Sequence, residues 1–203
     1  IIKILSESSN RKIKILIILN KIYNAIQNQK DVYQHLLLLK KLFNFFNSNN
    51  SSYNNNLLDE CLKNINLFLL LINELKEFLS KKQNDGNIID INSIESNSNN
   101  LLDDNNNIKI RIEAIFSLMP NYTRNNFDFK QVKEFIKLMV QNSEFTRNIS
   151  CESLLNSINN FSKDFLFYIN SDIFSKGDIF DITKFNVYKI YKQILLKINM
   201  INN

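Results

Sequence analysis

The sequence predicts an all-α fold, a helical-repeat solenoid of about seven helices, and three observations predict it. Apolar residues recur at three-to-four spacing in segment after segment, the period of a one-sided helix. Gly occurs twice (Gly86, Gly177) and Pro once (Pro120), too few for the many turns of a β-sandwich or barrel. Short polar loops join the segments, so each apolar stripe can be buried only by stacking on neighbouring helices.

The first helix is expected over 11–27, with Ile15, Leu19, Ile22, Tyr23 and Ile26 as its stripe. Asp31 and Gln34 have capping-box spacing and open a second helix over 32–46. A Ser/Asn loop ends it, and a long third helix follows over 57–82. Segment 83–107 is dominated by Asn, Ser and Asp and is read as a mobile surface insertion, since such composition buries little apolar area. The fourth helix is expected over 108–119, with Ile108, Ile112, Ile115 and Met119 on one face, and Pro120 is expected to stop it. Asp128 and Gln131 repeat the capping-box spacing before a fifth helix over 129–141, whose stripe is Phe129, Val132, Phe135, Ile136 and Met139. A sixth covers 143–170, with a break expected near Ser150. A loop or short extended piece fills 171–183, and a seventh helix runs over 184–201 with Val187, Tyr191, Ile194, Leu195 and Ile198 apolar. The domain reading is therefore helical repeats over 1–82, the insertion over 83–107 and helical repeats over 108–203, one continuous array. Variable helix lengths without strict repetition favour HEAT- or armadillo-like pairs. The chain opens on Ile1-Ile2 without Met and is read as a piece of a longer or processed polypeptide.

Composition narrows the function classes. Asn occurs 36 times beside abundant Ile, Leu, Lys and Phe, which reads as a coding bias and explains Asn as helix filler. The net charge of +5 is compatible with an anionic partner, although the same bias inflates Lys. Cys61 and Cys151 are isolated thiols, there is no CxxC, and His35 is the sole histidine, so no metal site is expected. The longest clean apolar run, 67–72, is far short of the ~20 residues of a membrane span. With two glycines, a phosphate-binding or dinucleotide loop has no raw material.

Nor does a catalytic constellation emerge. Asp59-Glu60 is expected to begin a helix, where acids suit the positive end of the dipole, and Asp103-Asp104 falls in the insertion. Neither pair has the shaped pocket that acid–base work needs. No catalytic or cofactor-binding residue is expected. The aromatics fall at helical spacing and are read as core. The arginines are few, and three of the four, Arg111, Arg124 and Arg147, lie within 107–165. Arg111 and Arg147 start helices, and Arg124 falls in a loop. Guanidinium groups at such turns bind phosphate or pair with a neighbouring helix, so these three are the candidate RNA or partner contacts. Pairing with an adjacent helix is expected of Arg111, and solvent or RNA of Arg124.

The order of residues within 107–165 adds one resemblance. Arg111-Ile112-Glu113-Ala114 and Ser117-Leu118 resemble a HEAT-type repeat of the THADA-like family. The likeness continues through Pro120, Thr123 and Phe127, then Val132-Lys133-Glu134-Phe135, then Asn142-Ser143-Glu144-Phe145-Thr146-Arg147, and then Leu154, Ile158 and Phe161. Members of that family are long cytoplasmic helical-repeat proteins. They are non-catalytic partners of an FtsJ-like methyltransferase that methylates a ribose 2′-oxygen in the tRNA anticodon loop. The resemblance implies a cytoplasmic, non-enzymatic scaffold that uses no cofactor. Its partner would be a methyltransferase subunit or another protein, with tRNA as a further candidate, and neither a membrane nor a small-molecule substrate is implied. The residues by themselves also leave open a general HEAT/armadillo interaction module or an organellar RNA-binding helical-repeat protein.

Overall fold

The computed structural model describes residues 10–48, 52–63, 65–84, 98–125, 129–174 and 185–202. Among them every regular element is helical: α1 (Arg11–Gln27), α2 (Val32–Ser48), α3 (Ser52–Leu62), α4 (Leu67–Asn84), α5 (Ser98–Asn125), α6 (Lys130–Asn142), α7 (Glu144–Ser157), α8 (Lys163–Tyr168) and α9 (Phe185–Asn202). A 3-10 turn at Ile158–Asn160 separates α7 from α8, and a π turn at Ile169–Phe174 follows α8.

The all-α expectation holds, and most stripes are buried as their spacing requires. Ile15, Leu19, Ile22 and Ile26 are inside on α1, and Val132, Phe135, Ile136 and Met139 on α6. The α1–α2 junction closes without glycine. Lys30 N–H reaches the Ala25 carbonyl at 2.8 Å and Gln29 N–H the Ile26 carbonyl at 3.1 Å, a Schellman motif with Gln29 at φ 53°. Asp31, expected as a cap, is itself in the left-handed region at φ 46°.

Five expectations are corrected. The long third helix is two helices, α3 and α4, broken around Ile65, whose N–H turns back to the Leu62 carbonyl at 3.1 Å. Asn66 stands at that break, and asparagine competes with helical bonding through its own side chain. Asp59-Glu60 therefore lies in the last turn of α3, not at a helix start. The 83–107 segment is helical from Ser98 onward, because Asp104 pairs with Lys82 of α4 at 2.7 Å and Asn107 with Arg111. Residues 85–97 lie outside the described residues. The expected break at Ser150 is absent: Ser150 is buried within α7, and the chain turns at Phe161 and Ser162, where the Ser162 hydroxyl accepts the Phe165 N–H at 3.3 Å. The 171–183 loop gives way to the π turn as far as Phe174, and the rest of it lies outside the described residues.

The fifth correction is Pro120, which lies within α5 and does not end it. Proline removes the N–H that the carbonyl four residues back would accept, and its ring crowds that turn. Here Ser157 of α7 donates its hydroxyl to the Phe116 carbonyl at 3.3 Å, and the Asn47 amide of α2 donates to the Ser117 carbonyl at 3.1 Å. Ser157 thus supplies the donor that Pro120 lacks, and Asn47 ties the adjoining turn to α2.

α5 is the central helix. It packs against α2, α3, α4 and α7, while α1 packs on α2, α3 and α4, and α9 on α7 and α8. Phe43, Phe46, Phe68, Phe116, Phe135, Phe165 and Phe174 are fully buried, each contributing about 1.5–3 kcal/mol of burial. Ring pairs such as Phe116–Phe135 (5.4 Å) and Phe129–Phe165 (5.0 Å) join α5 to α6 and the start of α6 to α8.

Candidate functional site

α5 carries two of the three candidate arginines, and both are turned to partners within the chain. Arg111 is 5% exposed. Its Nε donates to Glu74 Oε1 and Oε2 at 3.1 and 3.0 Å, and its Nη2 donates to Oε1 at 2.9 Å. Its Nη1 donates to the Asn107 carbonyl at 3.0 Å and to Asn107 Oδ1 at 3.1 Å. The guanidinium lies 3.9 Å from the centre of the Phe78 ring. Helical spacing builds this node: Asn107 and Arg111 are one turn apart on α5, and Glu74 and Phe78 are one turn apart on α4. Burial raises the Glu74 carboxyl above its ordinary pKa, while the charge and hydrogen bonds of Arg111 pull it down. A satisfied pair of this kind fixes how two helices meet, and it costs heavily when one partner is removed.

Arg124 is not in a loop but in the last turn of α5, where a cation suits the negative end of the helix dipole. It grips Asp59 of α3 through Nε–Oδ2 at 3.0 Å and Nη2–Oδ1 at 3.2 Å. Its Nη1 reaches the Asn160 carbonyl of the 3-10 turn at 3.3 Å, and the Asn121 amide donates to Asp59 at 2.7 Å. The node joins α3, α5 and the end of α7. Arg147 stands apart in the first turns of α7, half-buried, with Nε donating to the Val140 carbonyl at 3.2 Å. Ser143 caps this helix reciprocally with Thr146, each side chain accepting the other's backbone N–H, at 3.2 and 3.1 Å. The structure therefore does not gather Arg111, Arg124 and Arg147 into one basic edge: two have carboxylate partners on different helices, and the third faces a carbonyl.

The other reactive side chains are similarly placed. Both cysteines are buried and free, and desolvation pushes the Cys151 thiol up to about 11. His35 donates Nδ1–H to the Asp31 carbonyl at 2.9 Å in the first turn of α2. Among the described residues no group of His, Cys, Asp and Glu could hold a metal ion. No helix of the described residues is long and apolar enough to cross a membrane.

One cleft of about 480 Å³ opens at the α3–α4 break, walled by Leu62, Ile65, Phe68, Leu118 and Tyr122. Tyr122 stacks on Phe68 at 4.0 Å and donates its hydroxyl to Gln131 at 2.8 Å. The size suits a small ligand, and neither a carboxylate nor a histidine is among its lining residues.

Sequence reasoning missed Glu74 and Asp59 as partners. Glu74 did leave a signal: it interrupts the apolar pattern Leu71, Ile72, Leu75, Leu79, where a buried acid demands a cation. Also missed was the outer face of α9, where Tyr188, Leu196 and Met200 are exposed. Comparison of the chain with protein-family models, with curated proteins and with solved structures returns no match.

Proposed function

We propose that this chain is a non-catalytic helical scaffold of HEAT/armadillo type, and that it supports 2′-O-ribose methylation in the tRNA anticodon loop beside a methyltransferase subunit. The observation that supports a scaffold is how the chemically capable side chains are used. Glu74 and Asp59 hold arginines of α5, Glu113 holds Lys40 of α2 at 2.5 Å, and the thiols are buried. These groups hold helices to one another at defined angles, as an array that presents a surface to a macromolecule requires. Consecutive helices pair in the manner of such repeats at α1–α2 and α6–α7, while α5 is shared among α2, α3, α4 and α7. The methylation context rests on the resemblance over 107–165.

The test is reconstitution. The chain is mixed with an FtsJ-like methyltransferase subunit and unmodified tRNA, and methyl transfer to the anticodon loop is measured. Transfer is expected only when both proteins are present. If the chain binds neither tRNA nor the subunit, and transfer is the same without it, the methylation reading is wrong. Within that assay Arg147→Gln is expected to weaken tRNA binding and lower the salt slope by about one.

A further inference from the structure

α9 carries two apolar rows. Ile190, Ile194 and Ile198 face the core, at 1%, 0% and 6% exposure. Tyr188, Leu196 and Met200 face outward, at 52%, 48% and 73%. At about 100° per residue, Tyr188, Lys192, Leu196 and Met200 form a single ridge, with Lys189 beside it, within about 120° of arc. Lys189 and Lys192 are exposed, and α9 has no Asp or Glu anywhere in its sequence.

We propose that this outer face of α9 is a docking surface for an acidic amphipathic helix of a protein partner. The charge pattern selects that occupant. A second copy docked α9 against α9 would set Lys189 and Lys192 against their own kind, with no Asp or Glu on α9 to answer them, and like charges across an interface are strongly disfavoured. A nucleic-acid backbone would satisfy the lysines but offers nothing apolar to Leu196 and Met200. A lipid surface would take the apolar side chains and offer anionic headgroups, but it would draw Lys192, set between Tyr188 and Leu196 in the middle of the ridge, down among the acyl chains. A helix bearing apolar residues one turn apart, with a carboxylate between them, answers both features at once. The proposal shares with the scaffold reading only the need for a macromolecular partner; failure of tRNA methylation leaves it standing.

The probe is a fluorescein-labelled peptide as long as α9, with leucine on one stripe and glutamate elsewhere. Anisotropy is read against the full chain, with a leucine/lysine peptide, phosphatidylserine vesicles and poly(U) as alternatives. The acidic peptide is expected to bind, and more weakly as salt rises. Leu196→Ser/Met200→Ser and Lys189→Glu/Lys192→Glu should each weaken it at least about tenfold, and the charge-reversed chain should now take the leucine/lysine peptide. All four positions are exposed, so the melting temperature should not move, and it is recorded alongside. The proposal is overturned if the acidic peptide does not bind, if both variants bind it like the wild type, if vesicles or poly(U) bind in its place, or if the chain dimerises through this face.

Discussion

Removing Arg111 tests the account of the central helix most directly. Arg111→Gln takes away three charged N–H···O contacts and leaves Glu74 at 5% exposure without its bonded cation. Breaking a buried pair in this way costs about 3–5 kcal/mol, against about 0–1 kcal/mol for a pair at the surface. For a chain of this length, about 2–4 °C per kcal/mol converts the loss to a fall in Tm of about 6–20 °C. The pH dependence gives a second reading. Glu74 already has a folded pKa raised above its ordinary 4.5 by burial, so the folded state holds this proton more tightly than the unfolded chain. Its contribution is fully present below the unfolded value and is lost as pH rises toward the folded one. Without Arg111 that window widens, so the deficit of Arg111→Gln should be smaller near pH 4 than at neutrality. The double variant Glu74→Leu/Arg111→Met should recover most of the loss, since well-packed apolar replacements of a buried pair are often neutral or better. Urea unfolding followed by far-ultraviolet circular dichroism measures all three variants. A loss below about 1 kcal/mol, a deficit independent of pH, or a double variant as weak as the single one would refute the reasoning.

Ser157→Ala should cost about 1–3 kcal/mol by leaving the Phe116 carbonyl without a donor, and less in a Pro120→Ala background, where the backbone N–H returns; a double-mutant cycle by urea unfolding measures the coupling. Gln29→Gly should stabilise by about 0.5–1 kcal/mol, because the Schellman position holds Gln29 at φ 53°, and thermal melts check it. Cys151, buried and with its thiol pushed up to about 11, should react with Ellman's reagent near neutral pH only at the rate of unfolding; fast reaction in the folded state would contradict its placement. Glu60→Gln should leave the melting temperature unchanged, since its partner Lys12 at 2.6 Å is as exposed as it is.

The sequence by itself determined the elements whose identity is periodic. α1 could be read to its ends, because Ile15, Leu19, Ile22 and Ile26 repeat at helical spacing and no residue between them argues otherwise. The stripe of α6 was legible for the same reason, whereas on α9 Ile194 and Ile198 of the expected stripe are buried, Tyr191 and Leu195 are half-buried, and the buried Ile190 was not in it. That Arg111 would need a partner on another helix was also visible, since Glu113 belongs to a different face and in fact pairs with Lys40. Tertiary structure alone decided where local signals lost. Pro120 is a helix breaker by its own chemistry, and α5 passes through it because Ser157, 37 residues away, brings a donor to the Phe116 carbonyl it strands. Arg124 had loop character in sequence, yet Asp59 and the Asn160 carbonyl hold it at a helix end. The polar stretch before Ile108 joined α5 because Lys82 and Arg111 answer Asp104 and Asn107. The physical reason is common to all three. Periodicity and propensity act over one or two turns, whereas hydrogen-bond and charge compensation is supplied across space by residues whose proximity no local pattern encodes.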